Sequence, residues 1–161
     1  MEKNLTETDK AYIAGVVDSD GSIGISRQNI KRPRPSYRPQ FQLTWVKNQK
    51  TMQVLKFLKE TYGGSICESK SMQGRFKNGQ PIVKYMLATK QLKPFLLDIL
   101  PYLRLKRKQA INTIRLISIN NYCMQYGFHK PKPQRVEDIQ NKLYTVTKRL
   151  NNAKQKNPSS Y

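Results

Sequence analysis

Asp18 and Asp20 stand at the end of the stretch AYIAGVVDSDGSIGI, residues 11 to 25, where a small-residue apolar segment gives way to Gly21 and an alternating run. They are two of only ten acids in the chain. The segment before them reads as a helix, and a helix C-terminus already carries partial negative charge from its free carbonyls. Two carboxylates there are electrostatically unfavourable unless a cation offsets them. An oxygen-only donor set selects a hard divalent ion such as Mg²⁺. Mg²⁺ beside a phosphate is the general arrangement for metal-assisted phosphodiester hydrolysis. One or two carboxylates are too few for a self-contained metal cage, so a bound phosphate or a second copy of the chain has to complete it. The structural alternative is that Asp18 or Asp20 shapes the turn before Gly21, a common use of Asp, and spacing alone leaves both readings open. Other chemistry is restricted. His129 is the only histidine, which excludes multi-histidine metal sites and mechanisms needing two imidazoles. Cys67 and Cys123 lie far apart, form no metal motif and read as reduced, intracellular thiols.

The elements that must position such a site belong to one domain-sized chain of 161 residues. Thirty Lys and Arg against ten acids give a formal charge of +20. That excess costs self-repulsion in the folded state and favours a polyanionic partner. No apolar run reaches the roughly 18 residues of a membrane span, so no membrane partner is expected. The polar start MEKNLTETDK matches neither a secretory signal nor a transit peptide.

Residues 6–17 read as a helix opened by a capping box at Thr6-Glu7-Thr8-Asp9. Ala11, Ala14 and Gly15 give it a small-residue face. Gly15 costs around 1 kcal/mol relative to Ala inside a helix, which is sensible where another backbone approaches closely. Residues 21–30 alternate, with Ile23 and Ile25 on one face and Ser22, Gly24, Ser26 and Gln28 on the other. The basic, proline-rich stretch KRPRPSYRP, residues 31–39, reads as an exposed loop. The next strand puts Phe41, Leu43 and Trp45 on one face and Gln40, Gln42 and Thr44 on the other. This wet face is poor in acids and rich in amides, groups that suit base edges. A helix over 51–62 turns Val54, Leu55, Leu58 and Tyr62 inward and ends at Gly63-Gly64. A hairpin of 65–70 and 82–87, with Val83, Tyr85 and Leu87 inward and Lys84 and Met86 outward, encloses a long basic turn. Helices follow over 90–99 and to about 121. After the linker GFHKPKP, residues 127–133, the positions Val136, Ile139, Leu143, Val146 and Leu150 recur at helical spacing. The fold class is α+β: an antiparallel sheet with helices on one face. The expected organisation is a core over 1–125, a linker and amphipathic helix over 126–152, and a disordered tail over 153–161.

YIAGVVDSDGSI, residues 12–23, resembles the signature of the LAGLIDADG homing endonucleases, a helix ending in acid, small residue, acid and Gly before a DNA-binding strand. LTWVKNQKT, residues 43–51, resembles the family segment after the second strand. LPYLRLKRKQA, residues 100–110, resembles the segment carrying the family's active-site lysine. The αββαββα order agrees with the element pattern, and the resemblance covers roughly residues 8–125. It implies a saddle-shaped sheet and a metal-dependent, site-specific DNA endonuclease. The single motif resembles the homodimeric branch, in which motif helices pack through small residues, implying a dimer interface at Ala11, Ala14 and Gly15 and a long pseudo-palindromic target.

Position by position, the resemblance makes Asp20 the metal-binding acid, with the Ser19 carbonyl also facing metal and Asp18 ranked behind it. Gln49 matches a residue that positions water, and Lys106 a lysine that activates water or stabilises phosphorane charge. The strand positions Ser22, Gly24, Ser26, Gln28, Arg38, Gln40, Gln42, Thr44, Ser69, Lys84 and Met86 are implied to meet the major groove, and Arg32, Arg34, Lys70, Arg75 and Lys77 phosphates or edge bases. The implied cofactor is Mg²⁺ or another hard divalent ion, and the implied partners are double-stranded DNA and a second copy. Two departures stand out: Ser19 replaces the usual Gly or Ala, and Gln53 replaces a frequent basic residue. Relatives that act on intron RNA as maturases, and a non-cleaving DNA-binding protein on the same fold, are the alternatives. The Asn-, Lys-, Ile- and Tyr-rich composition points to an AT-rich source, an organelle or a prokaryotic cytoplasm.

Overall fold

A computed structural model of the protein describes residues 5–28, 35–69, 81–124 and 132–152. The elements run α1 (Glu7–Asp20), β1 (Gly21–Gln28), β2 (Ser36–Val46), α2 (Gln49–Tyr62), β3 (Ser65–Ser69), β4 (Ile82–Met86), α3 (Thr89–Ile99), α4 (Arg107–Met124) and α5 (Gln134–Asn152). The αββαββα order is therefore present through α3, with two further helices, α4 and α5, among the described residues. The strands form one antiparallel sheet in the order β1-β2-β4-β3. Its register sets Gln42 opposite Met86 and Thr44 opposite Lys84, then Met86 opposite Ser65 and Lys84 opposite Cys67.

The chain forms two compact units, residues 1–22 with 41–104, and residues 23–40 with 105–161. The first is built on α1, the second half of β2, α2, β3, β4 and α3. Thr6 and Asp9 make the expected reciprocal cap on α1: the Asp9 N–H donates to the Thr6 hydroxyl at 3.1 Å and the Thr6 N–H to Asp9 Oδ2 at 3.0 Å. Asn48 and Thr51 cap α2 in the same way. Ile13, Ala14 and Val17 of α1 are buried with Phe41, Leu43, Tyr85 and Phe95. Each large side chain so buried contributes roughly 1.5–3 kcal/mol. Phe95 lies 4.8 Å from Phe41 and 4.9 Å from Tyr62, ring centre to ring centre. Gly63 and Gly64 leave α2 with φ of +77° and +86°, a region that favours glycine. A Cβ on Gly64 would sit 2.5 Å from the Met86 carbonyl oxygen.

In the second unit, Ile25 and Tyr37 are buried with Leu116, and Leu143 and Tyr144 of α5 pack on this cluster. The Tyr37 hydroxyl donates to Asn141 Oδ1 at 3.0 Å. Gln140 donates to Asn120 at 2.7 Å, and Asn120 to the Tyr37 carbonyl at 3.0 Å.

Several expectations need correction. α1 reaches Asp20 instead of ending at 17. β2 begins at Ser36, so Tyr37 and Pro39, read as loop, are buried strand residues. Pro39 lies outside the pairing of β2 with β4, which covers residues 42–46. The buried face of α5 carries Gln140 and Thr147, while Ile139 and Val146 are 41% and 37% exposed. The packed face is mixed: Leu143 and Tyr144 meet the apolar cluster, and Gln140 and Thr147 beside them bond to Asn120 and Asn112 of α4. With α4, Ile139, Leu143 and Val146 instead line an open groove of about 690 Å³.

Candidate active site and nucleic-acid face

The two aspartates that close α1 are put to different uses. Asp18 is only 9% exposed. Its Oδ2 accepts the backbone N–H of Arg104 at 2.7 Å, tying the end of α1 to the chain two residues before Lys106. Asp20 is exposed. Its Oδ1 accepts the Ser19 hydroxyl at 3.1 Å, and its Oδ2 accepts the indole N–H of Trp45 at 2.9 Å. Both donors are neutral, so they orient the carboxylate without cancelling its charge. No basic residue occupies the last turn of α1. Among the described residues, Asp20 has no ion-pair partner, and the strain of a negative charge at a helix C-terminus stands uncompensated.

This donor set fits a hard cation. Asp20 supplies an oriented, solvent-facing carboxylate, and the Ser19 carbonyl lies in the same turn. Among the described residues there is no group of three or more His, Cys, Asp or Glu side chains that could hold a metal alone. Asp20 and the Ser19 carbonyl alone are fewer oxygen donors than a Mg²⁺ ion takes.

Gln49 is the first, exposed residue of α2, and Gln53 lies one turn on, also exposed. Both belong to the unit that holds Asp20. Lys106 belongs to the other unit, immediately before α4, where its carbonyl accepts the Ala110 N–H at 3.0 Å. Lys106 is only 8% exposed. It sits at the positive end of α4, where a cation is disfavoured by the helix dipole.

The sheet's wet face is as expected. In the first unit the rows Gln42–Met86–Ser65 and Thr44–Lys84–Cys67 cross β2, β4 and β3, with Ser69 beyond them. All are exposed or half-buried, against the buried Phe41, Leu43, Val83 and Tyr85 of the other face. Gln42 donates to Thr44 at 2.7 Å. In the second unit, Arg38 and Gln40 are exposed and Ser26 and Gln28 half-buried. Ser22, in the first unit, is exposed. Gly24 is not open: a Cβ there would lie 3.6 Å from the amide nitrogen of Asn151, which donates to the Ile23 carbonyl at 3.1 Å. Arg32, Arg34, Lys70, Arg75 and Lys77 lie outside the described residues.

The small-residue face of α1 also needs revision. Ala14 is 0% exposed, consumed by the protein's own core. Ala11, Tyr12 and Gly15 form the exposed stripe instead. A Cβ on Gly15 would meet nothing within 4 Å, so packing within one chain gives no reason for glycine there.

Trp45 is the functional neighbour that sequence reasoning missed. Alternation assigns it to the apolar face, but an indole N–H needs an acceptor, and this tryptophan is the only one in the chain. Ser19, which departs from the family's usual Gly or Ala, is a donor to Asp20.

The LAGLIDADG endonuclease family model matches residues 13–120. The chain belongs to the LAGLIDADG endonuclease family. Its fold is shared by the homing endonuclease I-CvuI in complex with its target, at 19% identity over 85% of this chain and 95% of that one, with a TM-score of 0.54. The archaeal intron-encoded homing endonuclease I-Vdi141I complexed with DNA is similar at 20% identity over 85% and 97%, TM-score 0.53. I-SmaMI bound to uncleaved DNA in the presence of calcium ions matches at 18% identity over 98% of this chain but 51% of its own, TM-score 0.62. No curated protein sequence matches significantly.

Proposed function

We propose that this protein is a site-specific double-strand DNA endonuclease that acts as a homodimer and uses Mg²⁺ or another hard divalent ion. The observation that carries the reading is the division between the aspartates: Asp18 is committed to the Arg104 N–H, while Asp20 is exposed, oriented and without a cationic partner among the described residues. Asp20 and the Ser19 carbonyl would hold the cation, which when bound polarises the scissile phosphate. The Gln49 amide orients the attacking water. The Lys106 ammonium offsets charge that builds on the phosphate in the transition state.

The acid-poor sheet face meets the major groove. The amides of Gln40 and Gln42 address base edges, and Lys84 and Arg38 address phosphates or guanine. The dimer forms through the exposed α1 stripe of Ala11, Tyr12 and Gly15, and its two-fold axis calls for a pseudo-palindromic target. The same dimer supplies the second half of the metal site. A host compartment with an AT-rich genome, organellar or prokaryotic, is part of the proposal.

The test is cleavage selection. The protein and its Asp20→Asn variant are incubated with a randomised duplex library and Mg²⁺, and double-strand ends are sequenced. A discrete cut that needs both Asp20 and metal supports the endonuclease and gives its target. Tight, salt-sensitive binding without any cut refutes it and leaves RNA-binding or DNA-binding function on the same fold.

A further inference from the structure

The Asp20 carboxylate sits on the last residue of a helix and is exposed. Nothing about such a position fixes its side-chain torsions. Repulsion from the terminal carbonyls of α1 favours swinging it outward, and a swinging carboxylate loses affinity for Mg²⁺, which demands near-ideal octahedral geometry. One group opposes that motion from a rigid element. The Trp45 indole N–H, 2.9 Å from Oδ2, projects from β2, whose register with β4 pairs Trp45 with the fully buried Val83. The bicyclic ring has only two side-chain torsions and is half-buried, so its N–H is aimed by the sheet itself. Ser19 reaches the other oxygen from within the same helix turn.

We infer that Trp45 is a positioning residue of the metal site: its indole N–H holds one in-plane lone pair of Asp20 Oδ2 and so presents the remaining lone pairs of the carboxylate to a divalent cation. The inference rests on the proposed endonuclease site and adds a residue to it. Indole is suited to the task because it is a donor only, carries no charge and does not titrate near neutrality. A lysine or arginine in its place would orient Asp20 equally well but would also neutralise it and repel the cation. Hydrogen-bond partners that orient metal ligands elsewhere raise affinity or activity about 10- to 100-fold, and an effect of that size is expected here.

The variant is Trp45→Phe, which keeps an aromatic ring in the sheet and deletes the N–H. The half-saturating Mg²⁺ concentration for cleavage of the selected duplex should rise at least about tenfold. Duplex affinity in metal-free buffer, which a purely structural role would move, should stay near wild type, while the unfolding midpoint should fall only by the loss of one hydrogen bond to an exposed carboxylate. A second readout needs no cleavage. Trp45 is the only tryptophan, so its selectively excited emission reports on its neighbour. Mn²⁺ added to the protein on the duplex recovered by binding selection should quench that emission saturably, and Asp20→Asn should abolish the saturable part.

Saturable, Asp20-dependent quenching with no cutting would support the positioning role while sinking the nuclease reading. Metal-dependent cutting with an unchanged Mg²⁺ requirement in Trp45→Phe, or with emission indifferent to Mn²⁺, would overturn the inference and leave the nuclease standing. If Trp45→Phe fails to fold, Trp45→His, which keeps a ring N–H donor, and Trp45→Leu, which has none, are compared for Mn²⁺ affinity by electron paramagnetic resonance, and equal affinities overturn the inference.

Discussion

Asp18 and Asp20 differ by two positions and should differ in the sign of their effect on stability. Replacing Asp18 with Ala removes a carboxylate that is 9% exposed and accepts the Arg104 N–H at 2.7 Å. A charge-assisted bond of this kind is worth about 1.5–3 kcal/mol. Removing a negative charge from the C-terminal turn returns about 0.3–1 kcal/mol. The net loss is about 0.5–2.7 kcal/mol, which for a chain of this size lowers Tm by roughly 1–11 °C. Asp20→Asn removes an exposed charge from the same turn and keeps one acceptor oxygen for Trp45 or Ser19. Its stability should equal the wild type's or rise by a few tenths of a kcal/mol, while cleavage is lost. The assay is urea unfolding in metal-free buffer, with all variants at one protein concentration because a dimer's stability depends on it. Equal losses from the two substitutions would refute the division of labour between the aspartates. So would an Asp18→Ala variant as stable as the wild type.

Gly15→Ala meets no atom within 4 Å in one chain and should raise helix propensity by about 1 kcal/mol. It should nonetheless weaken self-association in sedimentation velocity; unchanged association would remove α1 from the dimer interface. Burial pushes the Tyr85 hydroxyl well above the ordinary tyrosine range. The folded state therefore keeps a proton that the unfolded chain gives up near pH 10, so stability is intact below that pH and falls as pH rises past it. Tyr85→Phe should lose about 1 kcal/mol at neutral pH, having given up the bond to the Gly63 carbonyl at 2.9 Å, and should show a shallower alkaline decline in unfolding midpoint. DNA binding should weaken steeply with salt, and Lys84→Ala should reduce the slope of log K against log salt by about 0.9 if Lys84 meets a phosphate; an unchanged slope would place it off the backbone.

Much of the frame was legible because it follows from period and punctuation. The alternation over 21–28 and 40–45, the glycine pair after Tyr62 and the Thr6–Asp9 box each act through neighbours in sequence, and each recurs in the fold. What escaped depends on partners distant in the chain. Ala14 and Gly15 look alike in composition, but Ala14 shares the helix side of Ile13 and Val17 and is buried, while Gly15 is exposed. Gln140 and Thr147 fall outside the apolar periodicity of α5, yet both are buried, with Asn120 and Asn112 as their hydrogen-bond partners. The contact between Trp45 and Asp20 spans 25 residues, and only the path from α1 through β1 and back along β2 brings them together. The location of Asp20 was legible from the motif. What orients it was not.

Each compact unit is assembled from two stretches separated in the chain: residues 1–22 with 41–104, and 23–40 with 105–161. On a ribosome, the first has all its parts once residue 104 has emerged. The second has to wait. Ile25 and Tyr37 are made early, but Leu116, Leu143 and Tyr144, which cover them, are made much later. A nascent chain therefore carries an uncovered apolar patch until α4 and α5 emerge, and α5 completes the cover of this cluster in a vectorial assembly. Any pause or premature stop before that helix leaves the patch available to chaperones and to other copies of itself.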